Sequence, residues 1–314
     1  MGLFDKLGKG AKDKIKSIES SQDLGEITQS KAISFIKDLS GGEVTYSKKI
    51  PDNIVMFTST SGAGASTLVA NVAYVAASKF KLSVVVLDLN IMMPSQNNYF
   101  NIKQEKIDVP DLVTYLLGKT SLGESVVNKG SISIMYSDNK GLMDSIKCES
   151  DIAVDNFTEM LGRFRELFDL VLIDCPMRID HTLCNTAMYL CDSIYMVWDE
   201  GMSSIANTEK IRRNMAASGI DSYTKMQVVL NKRTNVHYSM YPIQKLNLNL
   251  VEVIPFDPDV IDSSLRAEVF CQKGASRSEN AIEFAKRIES LTEHVLEDGG
   301  YLGISKKKTA EEEA

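Results

Sequence analysis

Between residues 53 and 255 the chain alternates short, continuous apolar runs with longer segments of helical periodicity. The runs are NIVMFTS (53–59), LSVVVLD (82–88), SISIMYS (131–137), DLVLID (169–174), SIYMVWD (193–199), KMQVVLN (225–231) and LVEVIP (250–255). Helical patterns lie near 66–79, 152–167, 202–217 and 259–268, with a final one at 278–297. Strands that are apolar at every position, rather than every second one, are buried on both faces, as in a parallel sheet covered by helices. The pattern therefore predicts a doubly wound α/β domain with a mostly parallel sheet over about 51–298.

Ahead of that domain, Leu3, Phe4, Leu7, Ala11, Ile15 and Ile18 fall on one helical stripe, and lysines 6, 9, 12, 14 and 16 cover much of the rest. Residues 1–20 are thus expected to form a basic amphipathic helix. Two occupants suit its apolar stripe: an anionic membrane, reached through residues 3–18 with about 1 kcal/mol per lysine near the surface, or a protein face, either this chain's own α/β domain or a partner. The segment lacks the long apolar stretch and small-residue cleavage site of a secretory leader, and Lys6 stands where a myristoylation motif needs Ser or Thr. Residues 21–50 are rich in Ser, Gly and Lys and are expected to be a linker, and 299–314, ending KKKTAEEEA, a disordered tail.

Composition narrows the class. Of 314 residues, 44% are hydrophobic and 25% charged, which is globular. The balance of 35 basic against 42 acidic residues, a net charge of −7, opposes a protein that coats nucleic acid, which needs a basic face to neutralise phosphate. The five cysteines (148, 175, 184, 191 and 271) form no CxxC pair and are expected to be reduced thiols of a cytoplasmic protein, with Cys175, Cys184 and Cys191 buried as small hydrophobes. No window of 18 apolar residues exists to span a bilayer. His181, His237 and His294 are scattered without metal-ligand spacing and are expected at surfaces or helix ends. The single Trp198 ends an apolar strand and is expected in the core. Met92, Met93, Met177 and Met202 fall in loops near the strand ends, where they form either a pliable partner surface or core. Arg212–Arg213 and Lys232–Arg233, the basic pairs near those ends, are expected to be solvated surface.

The first strand runs directly into Thr60-Ser61-Gly62-Ala63-Gly64-Ala65-Ser66-Thr67 and then the helical LVANVAYVAASK. Small residues between a strand's carboxyl end and a helix N-terminus let backbone N–H groups converge on an anion. The same residues also suit a tight turn that needs Gly for positive φ and Ser or Thr as a cap.

In order and spacing, TSGAGASTLVANVA with VVVLDLN, FDLVLIDCP, VVLNKR and VIPFDPDV resembles the MinD/ParA group of P-loop ATPases over about residues 53–295. The Gly-Ala-Ser-Thr ending is similar to the lysine-poor loops of the CpaE/TadZ branch, which localises pilus machinery. The resemblance implies a P-loop fold and a site for ATP or ADP with Mg²⁺. Ser61, Gly62, Ala63, Gly64, Ala65, Ser66 and Thr67 would wrap the phosphates, Asn231 and Pro255 would lie at the adenine, and Ser66, Asp88 and Asp174 would serve the Mg²⁺. It also exposes departures. Thr60 replaces the group's signature lysine, Ala65 its phosphate lysine, and Asn90 its second, catalytic carboxylate. Positioning and electrostatics carry nearly all of phosphoryl-transfer catalysis, so losing all three points to a pseudo-ATPase with no catalytic residues of the family left.

The resulting expectation is a spatial organiser or scaffold for a pilus or secretion apparatus, working by occupancy rather than turnover. It would meet protein partners at the inner face of the cell membrane and would be capable of homodimerising. In active relatives the signature lysine crosses the dimer interface, so Thr60 implies dimers that do not depend on nucleotide, or none. The alternative is a slow but active ATPase of the same group, including one that partitions DNA; the net negative charge opposes the latter. A related tyrosine kinase would need a tyrosine cluster at the end of the chain, where only Tyr301 stands.

Overall fold

The computed structural model describes residues 50–59, 62–102, 110–138, 142–176, 181–234, 239, 241–272 and 278–301. The basic amphipathic helix over 1–20, all but the last residue of the 21–50 linker, Thr60, Ser61, Met177, His237 and residues 302–314 lie outside them.

The strands are β1 (Ile54–Ser59), β2 (Val84–Asp88), β3 (Val127–Lys129), β4 (Ile132–Met135), β5 (Leu170–Pro176), β6 (Ser193–Trp198), β7 (Met226–Arg233) and β8 (Asn249–Pro255). They form one sheet in the order β3-β4-β2-β5-β1-β6-β7-β8. Every pairing is parallel except β3 with β4. The helices are α1 (Ala65–Ser78), α2 (Gln96–Tyr99), α3 (Leu112–Leu116), α4 (Leu142–Lys147), α5 (Asp151–Leu167), α6 (Thr182–Leu190), α7 (Met202–Ala217), α8 (Ser222–Lys225), α9 (Tyr241–Lys245), α10 (Pro258–Leu265) and α11 (Glu279–Asp298), with a 3₁₀ turn at Phe270–Gln272.

All seven apolar runs are strands, and the sheet has the two-sided burial that their composition demands. Within β1, Ile54 and Met56 face one core while Val55 and Phe57 face another; β2 and β5 divide in the same way. Each fully buried Val, Leu or Ile contributes roughly 1.5–3 kcal/mol. The first core is closed by α3, α5, α6 and α7, the second by α1 and α11. Helix α1 sits centrally and is apolar almost all round, with Leu68, Val69, Val72, Ala73 and Ala76 fully buried. At the far edge, α11 starts where the Ser278 side chain accepts the Ala281 N–H.

β3 escapes the periodicity because three residues of an edge strand, two of them exposed, carry almost no pattern. The expected tail boundary also falls later, because Gly299 and Tyr301 belong to the body. The Gly299 carbonyl accepts the Asp52 N–H at 3.2 Å, a Cβ on Gly299 would lie 2.7 Å from the Asp52 carbonyl oxygen, and Tyr301 packs on the second core.

Candidate phosphate-binding site

β1 stands between β5 and β6, and the carboxyl ends of β1, β2, β5, β7 and β8 open together onto one cavity of about 800 Å³. That volume is within the roughly 300–1,000 Å³ of small-molecule sites. Its floor is the loop between β1 and α1. Gly62 and Gly64 hold φ of +85° and +98°, which L side chains rarely adopt. Gly64 caps α1 with no side-chain hydrogen bond, so side chains leave the helix's leading N–H groups to the loop and cavity. Gly62, Gly64, Ala65, Ser66 and Thr67 line the space, while Ala63 is buried beneath it. Thr60 and Ser61 are outside the described residues.

Two carboxylates meet at one side. Asp88 ends β2 and stands in direct register with Asp174, two residues before the end of β5, and both are buried. Asp88 accepts backbone N–H bonds from Asn90 (3.0 Å), Ser95 (2.8 Å) and Gln96 (2.9 Å). Burial, with the charge of Asp174 added to it, still pushes the Asp88 carboxyl above its ordinary range. Burial does the same to Asp174, although the hydroxyl of Ser66 and the side-chain amide of Gln96 donate to it. Gln96 donates to Asp174 Oδ2 at 2.6 Å and to the Ser66 carbonyl at 3.1 Å, tying the loop to the second carboxylate.

A divalent cation would relieve this strain, and the oxygen donors of Ser66, Asp88 and Asp174 suit a hard ion such as Mg²⁺. Among the described residues no three His, Cys, Asp or Glu side chains converge to cage a metal. An ion here would therefore complete its shell with water and ligand oxygens, as Mg²⁺ commonly does.

Asn90 lines the cavity, but its Oδ1 accepts the Met93 N–H at 3.3 Å, so the side chain closes the 90–93 turn. Asn231 Nδ2 donates to the Ala63 carbonyl at 2.8 Å. It also lies so close to the loop that a Cβ on Gly64 would come within 2.5 Å of it. Pro255 ends β8 at the cavity wall beside Phe256 and Asp257. Asp257 caps α10 through the Asp259 N–H and accepts the Ser278 hydroxyl.

Three contributors carried no sequence signal. Gln96 and Tyr99, whose hydroxyl lies 2.8 Å from that of Thr67, sit in a polar stretch without a motif. Lys232, expected on solvated surface, lines the cavity and donates to the Gly62 carbonyl at 2.5 Å.

Other candidates resolve into structure. Cys148, Cys175, Cys184 and Cys191 are buried, and burial raises the Cys175 and Cys191 thiols, the latter to about 12. His181 begins α6, buried, with Nε2 3.1 Å from Glu149, and His294 contacts Gln227 at 2.7 Å. Trp198 is fully buried, its indole N–H on Thr208. No described helix is long and apolar enough to cross a membrane.

Residues 54–270 match the model of the CobQ/CobB/MinD/ParA nucleotide binding domain family. No curated protein sequence matches the chain significantly. Among solved structures, a ParA family ATPase from Chlorobium tepidum superposes with a TM-score of 0.64 at 18% identity, covering 77% of this chain and 99% of the other. MinD of Pyrococcus horikoshii, complexed with Mg-ADP, gives 0.60 at 18% identity over 77% and 95%. The MinC:MinD complex of Aquifex aeolicus gives 0.62 at 16% over 78% and 96%.

Proposed function

Because the chain belongs to the CobQ/CobB/MinD/ParA nucleotide-binding family, we propose that its cavity holds ADP or ATP with Mg²⁺ and that the protein signals by occupancy rather than by hydrolysis. One observation carries the reading. The helix-capping glycine loop and Asp174 line the same cavity, and Asp88, buried on the neighbouring strand, stands in register with Asp174.

In this reading the N–H groups from Gly62 to Ser66 donate to phosphate oxygens, and the Ser66 hydroxyl with Asp174 and Asp88 orients the ion and its water. Bound Mg²⁺ would offset phosphate charge. Asn231 and Pro255 form the wall toward the base. Hydrolysis lacks its parts: Ala65 offers no cation, and the Asn90 amide cannot take a proton and is engaged in its own turn. The Mg-ADP held by the P. horikoshii protein supports the ligand class.

A partner face is also proposed. Exposed apolar side chains stand on elements beside the cavity: Met93, Met143, Ile146, Met202, Ile261 and Leu265, with Met202 and Leu265 76% and 79% exposed. Clustered exposed apolar surface marks association sites, and the face would seat a second copy of this chain. Residues 3–18 would hold the particle at an anionic membrane, where it would organise a pilus or secretion apparatus.

Equilibrium titration with fluorescent ADP and Mg²⁺, paired with a phosphate-release assay, tests the reading. The expected result is saturable binding with turnover at background. Absence of binding by folded protein refutes the nucleotide reading; turnover of about 1 s⁻¹ or faster, ordinary for enzymes, refutes the pseudo-ATPase.

A further inference from the structure

We propose that Lys232, delivered from the end of β7, is the phosphate cation of this site, standing in space where the loop itself has Ala65. The inference rests on the reading above that the cavity takes a nucleotide.

The loop's need for a cation is plain from its lining. Among the described residues around the cavity, Lys232 is the only Lys or Arg, against the carboxylates Asp174 and Asp257. A polyphosphate brought into that setting has backbone N–H groups as donors but only one full positive charge within the wall. Lys232 is already at the loop: its Nζ donates to the Gly62 carbonyl at 2.5 Å, and its Cε would lie 3.5 Å from a Cβ on Gly64.

The backbone is shaped for this reach. The β7–β8 register breaks between Leu230 and Arg233, and Lys232 itself holds a φ of +56°, rare for a residue with a Cβ. Such a conformation is strained and persists only where the surroundings hold it. Here Asn231 fastens on the Ala63 carbonyl on one side, while the Arg233 carbonyl accepts the Phe256 N–H at 3.0 Å on the other. A straight strand would alternate successive side chains across the sheet; the break lets Asn231 and Lys232 both address the loop. Gly62, whose carbonyl the ammonium contacts, has nothing within 4 Å of where a Cβ would be, and both residues line the cavity. From there it exchanges one acceptor, a carbonyl, for a stronger one, a phosphate oxygen.

The test separates charge from stapling. Lys232→Gln keeps a donor for the Gly62 carbonyl and removes the charge; Lys232→Ala removes both; Ala65→Lys in the Lys232→Ala background returns a cation by the loop route. With the full chain, fluorescent ADP and Mg²⁺, both single variants should bind about 10- to 100-fold more weakly, the range of a lost charged hydrogen bond. The double variant should regain most of that, and the single variants should show a shallower loss of affinity with added salt than the wild type. Thermal melting checks that each variant is folded. Wild-type affinity in folded Lys232→Gln overturns the inference and leaves the nucleotide reading standing. Absence of binding by the folded wild type overturns both.

Discussion

Replacing Gly64 by alanine should destabilise the protein through two separable effects. At φ +98° an L residue is strained by about 1–3 kcal/mol. The new methyl would also stand 2.5 Å from Asn231 Nδ2, well inside contact distance, so Asn231 must withdraw and give up its buried 2.8 Å hydrogen bond to the Ala63 carbonyl. Leaving that pair unmade costs a further 1–3 kcal/mol or so, for a total of about 2–6 kcal/mol. At roughly 2–4 °C per kcal/mol for a domain this size, the melting temperature should fall by about 4–24 °C. Gly62→Ala is the internal control: φ is +85° but nothing lies within 4 Å of the added carbon, so only the backbone strain applies. Urea unfolding followed by the fluorescence of the single Trp198 measures both. The Gly64 variant should be the worse by about 1–3 kcal/mol, and adding Asn231→Ala to it should cost less than the sum of the two single changes, because the contact is shared. Equal losses for the two glycine variants, or strict additivity with Asn231→Ala, would show that Asn231 does not press on the loop.

Asp88 and Asp174 hold their protons more tightly folded than unfolded, because burial raises both. Their contribution to stability is therefore greatest in acid and is lost as pH rises from about 4, the ordinary carboxylate value, through the raised folded values. Mg²⁺ favours the ionised pair, so melting curves should show it stabilising more at pH 8 than at pH 5.5, and an equal effect at both would argue against the carboxylates as its site. Asp192→Ala removes the bidentate partner of Arg165, 2.9 Å on each arm, and the acceptor of the Ile54 N–H at 2.8 Å. Denaturant titration should show a loss of about 2–4 kcal/mol. Trp198 is fully buried, so native emission should be blue-shifted and move to the red only with global unfolding; a red native spectrum would contradict its place. If residues 3–18 bind lipid, the full chain should float with anionic liposomes and a version lacking residues 1–20 should not, while equal behaviour would assign that stripe to a protein face.

Most of the architecture is written locally. The seven apolar runs became strands because residues such as Val84 to Leu87 have no polar side to offer water, whichever face they turn. The loop was visible for a related reason: Gly62 and Gly64 permit backbone angles that other residues resist, and they directly follow a strand. Asp88 and Asp174 were legible as carboxylates closing apolar strands, but 86 positions separate them, and only the β2–β5 register sets one against the other. Gln96 was invisible, since its role depends on α2 folding back so that one amide reaches both Asp174 and Ser66.

Lys232 marks the division most clearly. By itself the sequence determined a strand ending in Asn-Lys-Arg and a phosphate loop without lysine, because burial and backbone freedom are properties of neighbouring residues. Tertiary structure alone decided that these two segments, 170 positions apart, touch. Sheet order and a register break between adjacent strands are settled by how the whole chain packs, and no local pattern encodes where a long flexible side chain will come to rest.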